Sequence, residues 1–268
     1  MKRQLGDLER QLLAYAQLRN RTSIREDEVQ SALGLSAVQS QALLRRLSRG
    51  GLAARVRPGL FLLPERLPLG AWSPDEIEAL TALMEDQGAR WQLCGPSAFN
   101  RFGFDEQVPN RLTVYNNRLS GSRTVGIVRM ALIKVADERL GETELLPVSG
   151  GRMAIYSSRV RTLIDAIRDA SRFGSLPRAY RWVRQDLAHG KTTVDQLVDV
   201  ALKAGDKGTR RRLGVLLERE GAAESQLALL EQSLPPTSAT IPFDPTRPKL
   251  GSYSRRWGII INDQEAAA

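Results

Sequence analysis

The stretch 23–64 constrains the fold more than any other part of the chain, because it contains two closely spaced helix starts. Ser23 with Glu26, and Ser36 with Gln39, have the spacing of a capping box, in which two side chains satisfy free amide groups of a first helical turn. Glycines follow both predicted helices and mark their ends. Two short helices joined by so tight a turn predict a helix-turn-helix unit.

Two apolar runs, 52–56 and 60–63, follow the second helix and flank a turn at Arg57-Pro58-Gly59. This pattern predicts a two-stranded ribbon. An opening helix with an apolar stripe between Leu5 and Leu18 completes a predicted winged helix-turn-helix over residues 1–64. The expected buried positions of the second helix are Leu43, Leu44 and Leu47, with Val38 as a further candidate.

The charge of this region favours nucleic acid as its partner. Between positions 36 and 57 the chain has five arginines and no acidic residue. Arginines would bind phosphates, while small and amide side chains at the start of a recognition helix would contact base edges. A protein-binding winged helix with a solvated basic face is the alternative. The candidate DNA-binding residues are Ser36, Gln39, Ser40, Gln41, Arg45, Arg46, Arg49, Arg55 and Arg57.

The amino-acid composition narrows the classes of protein and the kinds of site that the chain could have. Residues 1–63 carry eleven Lys and Arg against five Asp and Glu, which is +6 of the formal +9 of the 268-residue chain. The single cysteine excludes an intrachain disulfide and fits a reducing cytoplasm. No apolar run suggests a signal peptide or a membrane span. One histidine argues against a His-ligated metal site or a His-based triad.

The rest of the chain predicts an α+β domain over 72–268, joined to the head by a proline-containing connector at 64–72. Its mixed or antiparallel sheet would precede a C-terminal helical part, and a last strand at 253–262 would return to that sheet. The predicted strands lie at 91–93, 111–115, 123–128, 130–135 and 152–156. The predicted helices lie at 73–87, with Ser73 as N-cap, and at 96–102, 158–170, 177–188, 193–203, 208–220 and 223–234.

Two patterns raise enzymatic alternatives. The turn at 94–98 could hold a phosphate at a helix start, but the paired carboxylates that nucleotidyl transfer needs are missing, which favours a tight turn that packs Ala98 and Phe99. A metal-dependent nuclease needs carboxylates from neighbouring strands beside a lysine. The nearby set favours a solvated loop and comprises Lys134, Asp137, Glu138 and Glu142.

Basic and aromatic positions near the C-terminus leave alternatives open. Arg210, Arg211 and Arg212 open a predicted helix, where positive charge opposes the helix dipole. Either an anionic group binds there, or acidic neighbours such as Asp206 offset an exposed turn. His189 is typical of a helix C-terminal cap. The run 255–257 is typical of a strand end with a core tryptophan, with membership of the same basic surface as the alternative.

Five segments, in this order along nearly the whole chain, resemble the AbiEi-type antitoxins of type IV toxin–antitoxin pairs, which are predicted transcriptional regulators of abortive-infection phage defence. The segments are 52–61, 94–103, 155–165, 209–218 and 255–262.

The resemblance implies a cytoplasmic antitoxin that is not an enzyme and has no cofactor or metal. Its head would repress its own operon at inverted repeats in double-stranded DNA, with monomers pairing on DNA. Its C-terminal domain would counteract a nucleotidyltransferase toxin without a stable complex. The implied antitoxicity surface comprises Arg210, Arg211, Arg212 and Trp257. A regulator with a ligand-sensing or dimerisation domain, or a DNA-targeted nuclease, is the alternative.

Overall fold

The computed structural model describes residues 5–236 and 238–263, which form a mixed α+β protein. The helices of this part are α1 Asp7–Leu18, α2 Glu26–Leu33, α3 Ala37–Arg49, α4 Glu76–Asp86, α5 Gly95–Arg101, α6 Arg159–Arg168, α7 Ala170–Phe173, α8 Leu176–Ala188, α9 Val194–Ala204, α10 Lys207–Arg219 and α11 Glu224–Gln232. The strands are β1 Ser23–Arg25, β2 Ala54–Arg57, β3 Leu60–Leu62, β4 Trp91–Leu93, β5 Leu112–Asn116, β6 Gly121–Val125, β7 Val128–Lys134, β8 Thr143–Pro147, β9 Met153–Ser157, β10 Ile241–Pro242, β11 Ser252–Ser254 and β12 Ile259–Ile261.

The chain divides into two compact units that alternate along the sequence. The first consists of the residues up to Trp91, Asn110–Leu140 and Pro147–Ala154, and the second consists of Gln92–Pro109, Gly141–Leu146 and the residues from Ile155 onward. The first unit therefore includes both the predicted head and part of the predicted α+β domain. The domain division at 64–72 lies inside this unit and stays a prediction.

The first unit begins with three helices and a small sheet in the order β1-β3-β2. The expected capping box of Ser23 with Glu26 is wrong, because Ser23 begins β1 and α2 follows without a side-chain cap. Ile24 is buried and lies opposite Phe61 in the antiparallel β1–β3 pair. Burial of Ile24 in this sheet therefore outweighs the local capping signal.

Helix α3 begins at the second predicted capping box. The Gln39 amide donates to the Ser36 hydroxyl at 3.3 Å, and the Ser36 amide donates to the Gln39 side-chain oxygen at 2.9 Å. Gly34 ends α2 in the left-handed region, with φ of +63°, which a glycine adopts at little cost. The expected buried leucines of α3 are confirmed, whereas Val38 is 78% exposed. The core of this region includes Leu12, Ile24, Val29, Leu43, Leu44, Leu47 and Leu63.

The remainder of the first unit packs α4 with three strands in the order β6-β7-β5. Asp75, rather than the predicted Ser73, caps α4 by accepting from the amide of Ile77 at 2.9 Å. Strand β5 pairs parallel with β7, whereas β6 pairs antiparallel with it. This part of the chain therefore confirms a mixed arrangement of strands.

The second unit contains strands in the order β4-β9-β8, helix α5 and the helices from α6 to α11. Strands β4 and β9 are parallel, with Leu93 opposite Tyr156. The prediction that the last strand returns to the main sheet is wrong, because β12 forms a separate sheet in the order β10-β12-β11. In the part of the chain described above, no helix is long and apolar enough to cross a membrane.

Trp257 attaches the segment before β12 to helix α10. Its side chain is 1% exposed, and its indole N–H donates to Glu218 Oε2 at 3.0 Å. A Cβ atom at Gly214 would lie 2.4 Å from the Trp257 ring. Glycine at this position therefore allows the ring to lie directly against the helix backbone.

We expect Gly214→Ala to lower the free energy of unfolding by about 1–3 kcal/mol, because the added methyl group overpacks this contact. Gly208→Ala in the same helix is the matched control, since its Cβ would lie 3.3 Å from the flexible end of Arg212. Urea denaturation followed by circular dichroism measures both. Equal midpoints for the two variants would contradict the close packing of Trp257 on α10.

Candidate nucleic-acid interface

Helix α3 has a buried face and an exposed face. Ser40, Leu43, Leu44 and Leu47 are buried. At 100° per residue, five exposed positions fall within about 100° of arc on the opposite side. These outward-facing residues are Val38, Gln41, Ala42, Arg45 and Arg49. The apolar and amide side chains thus occupy the first two turns of this face, and the arginines follow.

A groove of about 380 Å³ lies between α3 and the β2–β3 ribbon. It brings together four of the residues that the sequence predicted to bind DNA, namely Gln41, Arg45, Arg49 and Arg55. Among the residues described, Glu26 is its only acidic lining residue. In residues 5–236 and 238–263, the side chains of Arg45, Arg49 and Arg55 form no salt bridge with an acidic group. The groove therefore has a surplus of positive charge.

Two of the predicted DNA-binding residues have other roles. Ser40 is fully buried, and its hydroxyl donates to the Ala37 carbonyl at 3.0 Å, so it is not exposed to a ligand. Arg57 donates to the Asp86 carboxylate from Nε at 2.5 Å and from Nη2 at 2.7 Å. The sequence pattern missed both roles. Ser40 lies on the buried face of α3 although its neighbours Gln39 and Gln41 are exposed, and Asp86 lies 29 residues from Arg57.

Three further predicted positions lie beside the groove-lining residues. Ser36 and Gln39 are exposed, and their mutual hydrogen bonds hold the first turn of α3. Arg46 is half exposed, and its Nε lies 3.8 Å from Glu9 Oε1 on α1. This contact directs part of the Arg46 charge towards the protein, so Arg46 contributes less uncompensated charge to the surface than Arg45 or Arg49.

Asp86, which ends α4, connects that helix to the ribbon and to β1. Its side chain is 2% exposed, and Arg25 Nη2 donates to it at 2.9 Å in addition to Arg57. The hydrogen bonds from Arg57, the largest influence, outweigh burial and lower the pKa of Asp86 to about 2. Asp86 is therefore ionised at neutral pH and holds the guanidinium of Arg57 in one place.

A cleft of about 530 Å³ also lies in the first unit, between α4 and the strands β1 and β3. Its charged groups pair with each other: Arg152 lies 3.5 Å from Glu78 and 3.6 Å from Glu65. Burial raises the pKa of Glu78, although Arg152 opposes this effect. Because its lining has five acidic side chains against three arginines, this cleft offers less attraction to polyanions than the groove beside α3.

The structure gives the arginine run of α10 a structural role in the second unit. Arg210 donates to carbonyl oxygens of the last turn of α9, at 3.2 Å to Ala201 and 2.7 Å to Leu202. Asp206 caps α10 by accepting from the Thr209 amide at 2.8 Å. The positive charge therefore lies at the C-terminal end of a neighbouring helix dipole, where it is stabilising.

Arg211 and Arg212 likewise bind main-chain oxygens. Arg211 is buried and donates to the carbonyls of Trp257, at 2.5 Å, and Gly258. Arg212 donates to the Pro242 carbonyl at 3.2 and 3.3 Å. Burial lowers the pKa of the Arg211 guanidinium. Arg211 and Trp257 are buried, so the four implied antitoxicity residues do not form an exposed surface.

The residues that suggested nucleotidyl transfer or a nuclease also have structural contacts. Gly95 has φ of +51°, and a Cβ there would lie 2.6 Å from the Phe173 ring. Ala98 and Phe99 are buried, as the tight-turn interpretation predicts. Asp137 accepts from the Asn117 side-chain amide at 2.8 Å. The residues described include no group of three or more His, Cys, Asp and Glu side chains arranged to hold a metal ion.

The segment 155–165 supplies a buried polar network in the second unit. Arg161 donates to Asp165 at 2.9 Å, and both side chains are almost fully buried. Gln92 donates to the Ser157 hydroxyl at 2.8 Å, and that hydroxyl lies 3.5 Å from Asp165. A buried pair of this kind requires every partner to be present. The motif therefore has a structural explanation.

A crystal structure of the RV2827C protein from Mycobacterium tuberculosis is similar to this chain, with a TM-score of 0.58 and 15% sequence identity. The match covers 96% of this chain and 92% of the other. At that identity the similarity shows a shared α+β fold and nothing about activity. No protein-family model matches the chain, and no curated protein matches it.

We expect Asp86→Asn to lower the free energy of unfolding by about 2 kcal/mol at neutral pH, since a pKa reduced from 3.8 to about 2 measures the stabilisation of the carboxylate. The folded-state pKa lies below the unfolded value, so this stabilisation is complete above about pH 4 and is lost as the pH falls towards 2.

Denaturant titrations between about pH 6 and pH 2.5 test the expected pH dependence. Glu85→Gln, at an exposed neighbouring carboxylate on α4, is the control and should have a small effect throughout. A stability difference between wild type and Asp86→Asn that stays constant over this range would contradict the assigned role of the ionised carboxylate.

Proposed function

We propose that the N-terminal region is a winged helix that binds double-stranded DNA. The order of its elements, α1-β1-α2-α3-β2-β3, with β1 paired to β3, supports this assignment. Helix α3 would enter the major groove as the recognition helix, and the β2–β3 ribbon would form the wing.

The groove between α3 and the ribbon carries the proposal. Its three arginines lack acidic partners among the residues described, and they come from two elements that would flank a DNA backbone. Each guanidinium that neutralises a phosphate releases condensed counterions, which gives salt-dependent affinity. Gln41, between them and the start of the helix, can pair with adenine through its amide.

The proposed biological role is that of an antitoxin and autorepressor. The resemblance to the AbiEi-type antitoxins supports this part: repression at inverted repeats upstream of its own gene, and neutralisation of a nucleotidyltransferase toxin without a stable complex. The proposal assigns the chain no enzymatic activity and no cofactor. Arg210, Arg211, Arg212 and Trp257 would contribute to neutralisation by holding the second unit together.

We expect Arg45→Ala and Arg55→Ala each to weaken binding to the DNA upstream of the gene by roughly five- to tenfold, and to reduce the salt slope by about 1, because each removes one phosphate contact. A gel shift at about 50 and 200 mM salt, beside a scrambled duplex, measures both quantities.

Arg172→Ala is the matched control for these variants, because it removes one exposed arginine from the second unit and changes the net charge equally. Its binding should equal that of the wild type. If all three variants lose the same affinity, the effect reflects net charge rather than a defined interface. If the wild type shows no preference for the upstream DNA, the proposed autorepression is wrong.

We expect the double variant Arg45→Ala/Arg55→Ala to lose repression of a promoter reporter while still protecting cells from the proposed nucleotidyltransferase toxin. The two changed side chains belong to the first unit and are exposed, so the second unit keeps its structure. Protection is measured as cell growth after the toxin is induced. The antitoxin is expressed from an independent promoter.

We expect Arg211→Ala to abolish protection, in contrast to the double variant, because removal of a buried guanidinium should disrupt the second unit. Failure of the wild type to protect would remove the antitoxin assignment and favour a regulator that senses a ligand. Loss of protection in the exposed double variant at normal protein levels would mean that DNA binding and neutralisation share one surface.

A further inference from the structure

The outward face of α3 contains two apolar residues that the phosphate-binding role does not explain. Val38, in the first turn, is 78% exposed, and Ala42, one turn later, is also exposed. Both share this face with Gln41, Arg45 and Arg49. Valine is stiff and lowers helix propensity, so an exposed Val38 stabilises neither the core nor the helix.

The charge around this apolar pair indicates what would cover it. Arg45 and Arg49 on this face and Arg55 beside it have no acidic partner among the residues described, so a covering partner has to supply negative charge around an apolar centre. A second copy of this face would bring the same positive charge and repel it. The major groove combines flanking phosphates with the thymine 5-methyl group, the apolar group that small aliphatic side chains contact there.

We propose that Val38 and Ala42 determine sequence specificity by packing against thymine 5-methyl groups. This inference rests on the proposed DNA binding and adds which bases the face selects. The two positions lie four residues apart, about 6 Å along the helix axis, which corresponds to roughly two base-pair steps of 3.4 Å. Each half-site of the operator should therefore contain thymines within about two steps of each other, beside an adenine that Gln41 recognises.

Single substitutions of thymine by deoxyuridine test the proposal, because each removes one methyl group and leaves base pairing intact. Affinity is measured on the bound upstream duplex for the wild type, Val38→Ala and Val38→Thr. Val108→Ala is the control, since Val108 is a similarly exposed valine, at 77%, in the second unit. Val38→Ala should fold normally because alanine favours a helix.

One or two deoxyuridine substitutions per half-site should weaken wild-type binding by about three- to fivefold each, the loss expected for one methyl contact. Val38→Ala should weaken binding to the unmodified duplex by a similar factor and show no further loss at the thymine that Val38 contacts. Val38→Thr, which keeps one methyl group, should bind with an affinity between those of the wild type and Val38→Ala. Val108→Ala should have the affinity of the wild type on every duplex.

Three results would overturn the inference, and they separate it from the proposed function. Selective binding with no effect of any deoxyuridine refutes the methyl contacts and leaves DNA binding intact. If deoxyuridine lowers the affinity of the wild type and of Val38→Ala by the same factor at every thymine, a side chain other than Val38 contacts the methyl groups. Absence of selective binding removes both proposals, and a Val38→Ala change in sedimentation would then assign this face to self-association.

Discussion

The position of the β2–β3 ribbon depends on one buried carboxylate. Asp86 accepts hydrogen bonds from Arg57 on β2 and from Arg25 on β1, and these bonds keep it ionised. Because both arginines come from strands of the small N-terminal sheet, one side chain of α4 sets the orientation of that sheet. The geometry of the groove beside α3 therefore depends on a residue outside the segment that the sequence identifies as the head.

Arginine side chains occupy two distinct environments in this chain, and the partner of each guanidinium distinguishes them. Arg210 and Arg211 bind carbonyl oxygens, and Arg161 pairs with a buried carboxylate. Arg45 and Arg49 face the groove with no acidic partner among the residues described. Net charge alone does not separate these groups, which explains why the run at 210–212 resembled an anion-binding surface in the sequence.

Local signals predicted the elements that local interactions determine. The capping box at Ser36, the leucines of α3 and the turn before β3 all depend on residues within a few positions, and each was identified. Ser23 failed as a cap because strand pairing with β3, nearly 40 residues later, competes with it. Strand β8 and the separate sheet of β12 were missed although each has a partner in a neighbouring strand of the sequence, β9 and β11 respectively, so distance along the chain does not explain these two.

The candidate site, like the secondary structure, was predicted only in part. Gln41, Arg45, Arg49 and Arg55 line one groove as their composition suggested. The sequence did not show that Ser40 is buried or that Arg57 binds Asp86, because charge and polarity do not show which way a side chain faces. Val38 was placed on the wrong face of α3, although helical spacing from Leu43, Leu44 and Leu47 was the signal that could have excluded it from the core.

The packing of Trp257 on Gly214 also sets an order of events during synthesis. Helix α10 emerges about 40 residues before the tryptophan that covers it, which corresponds to roughly 2–8 s of translation. Throughout that interval Arg211 lacks the carbonyls of Trp257 and Gly258. The first unit, whose last segment ends at Ala154, is complete earlier, so a nascent chain acquires its groove beside α3 before its second unit can close.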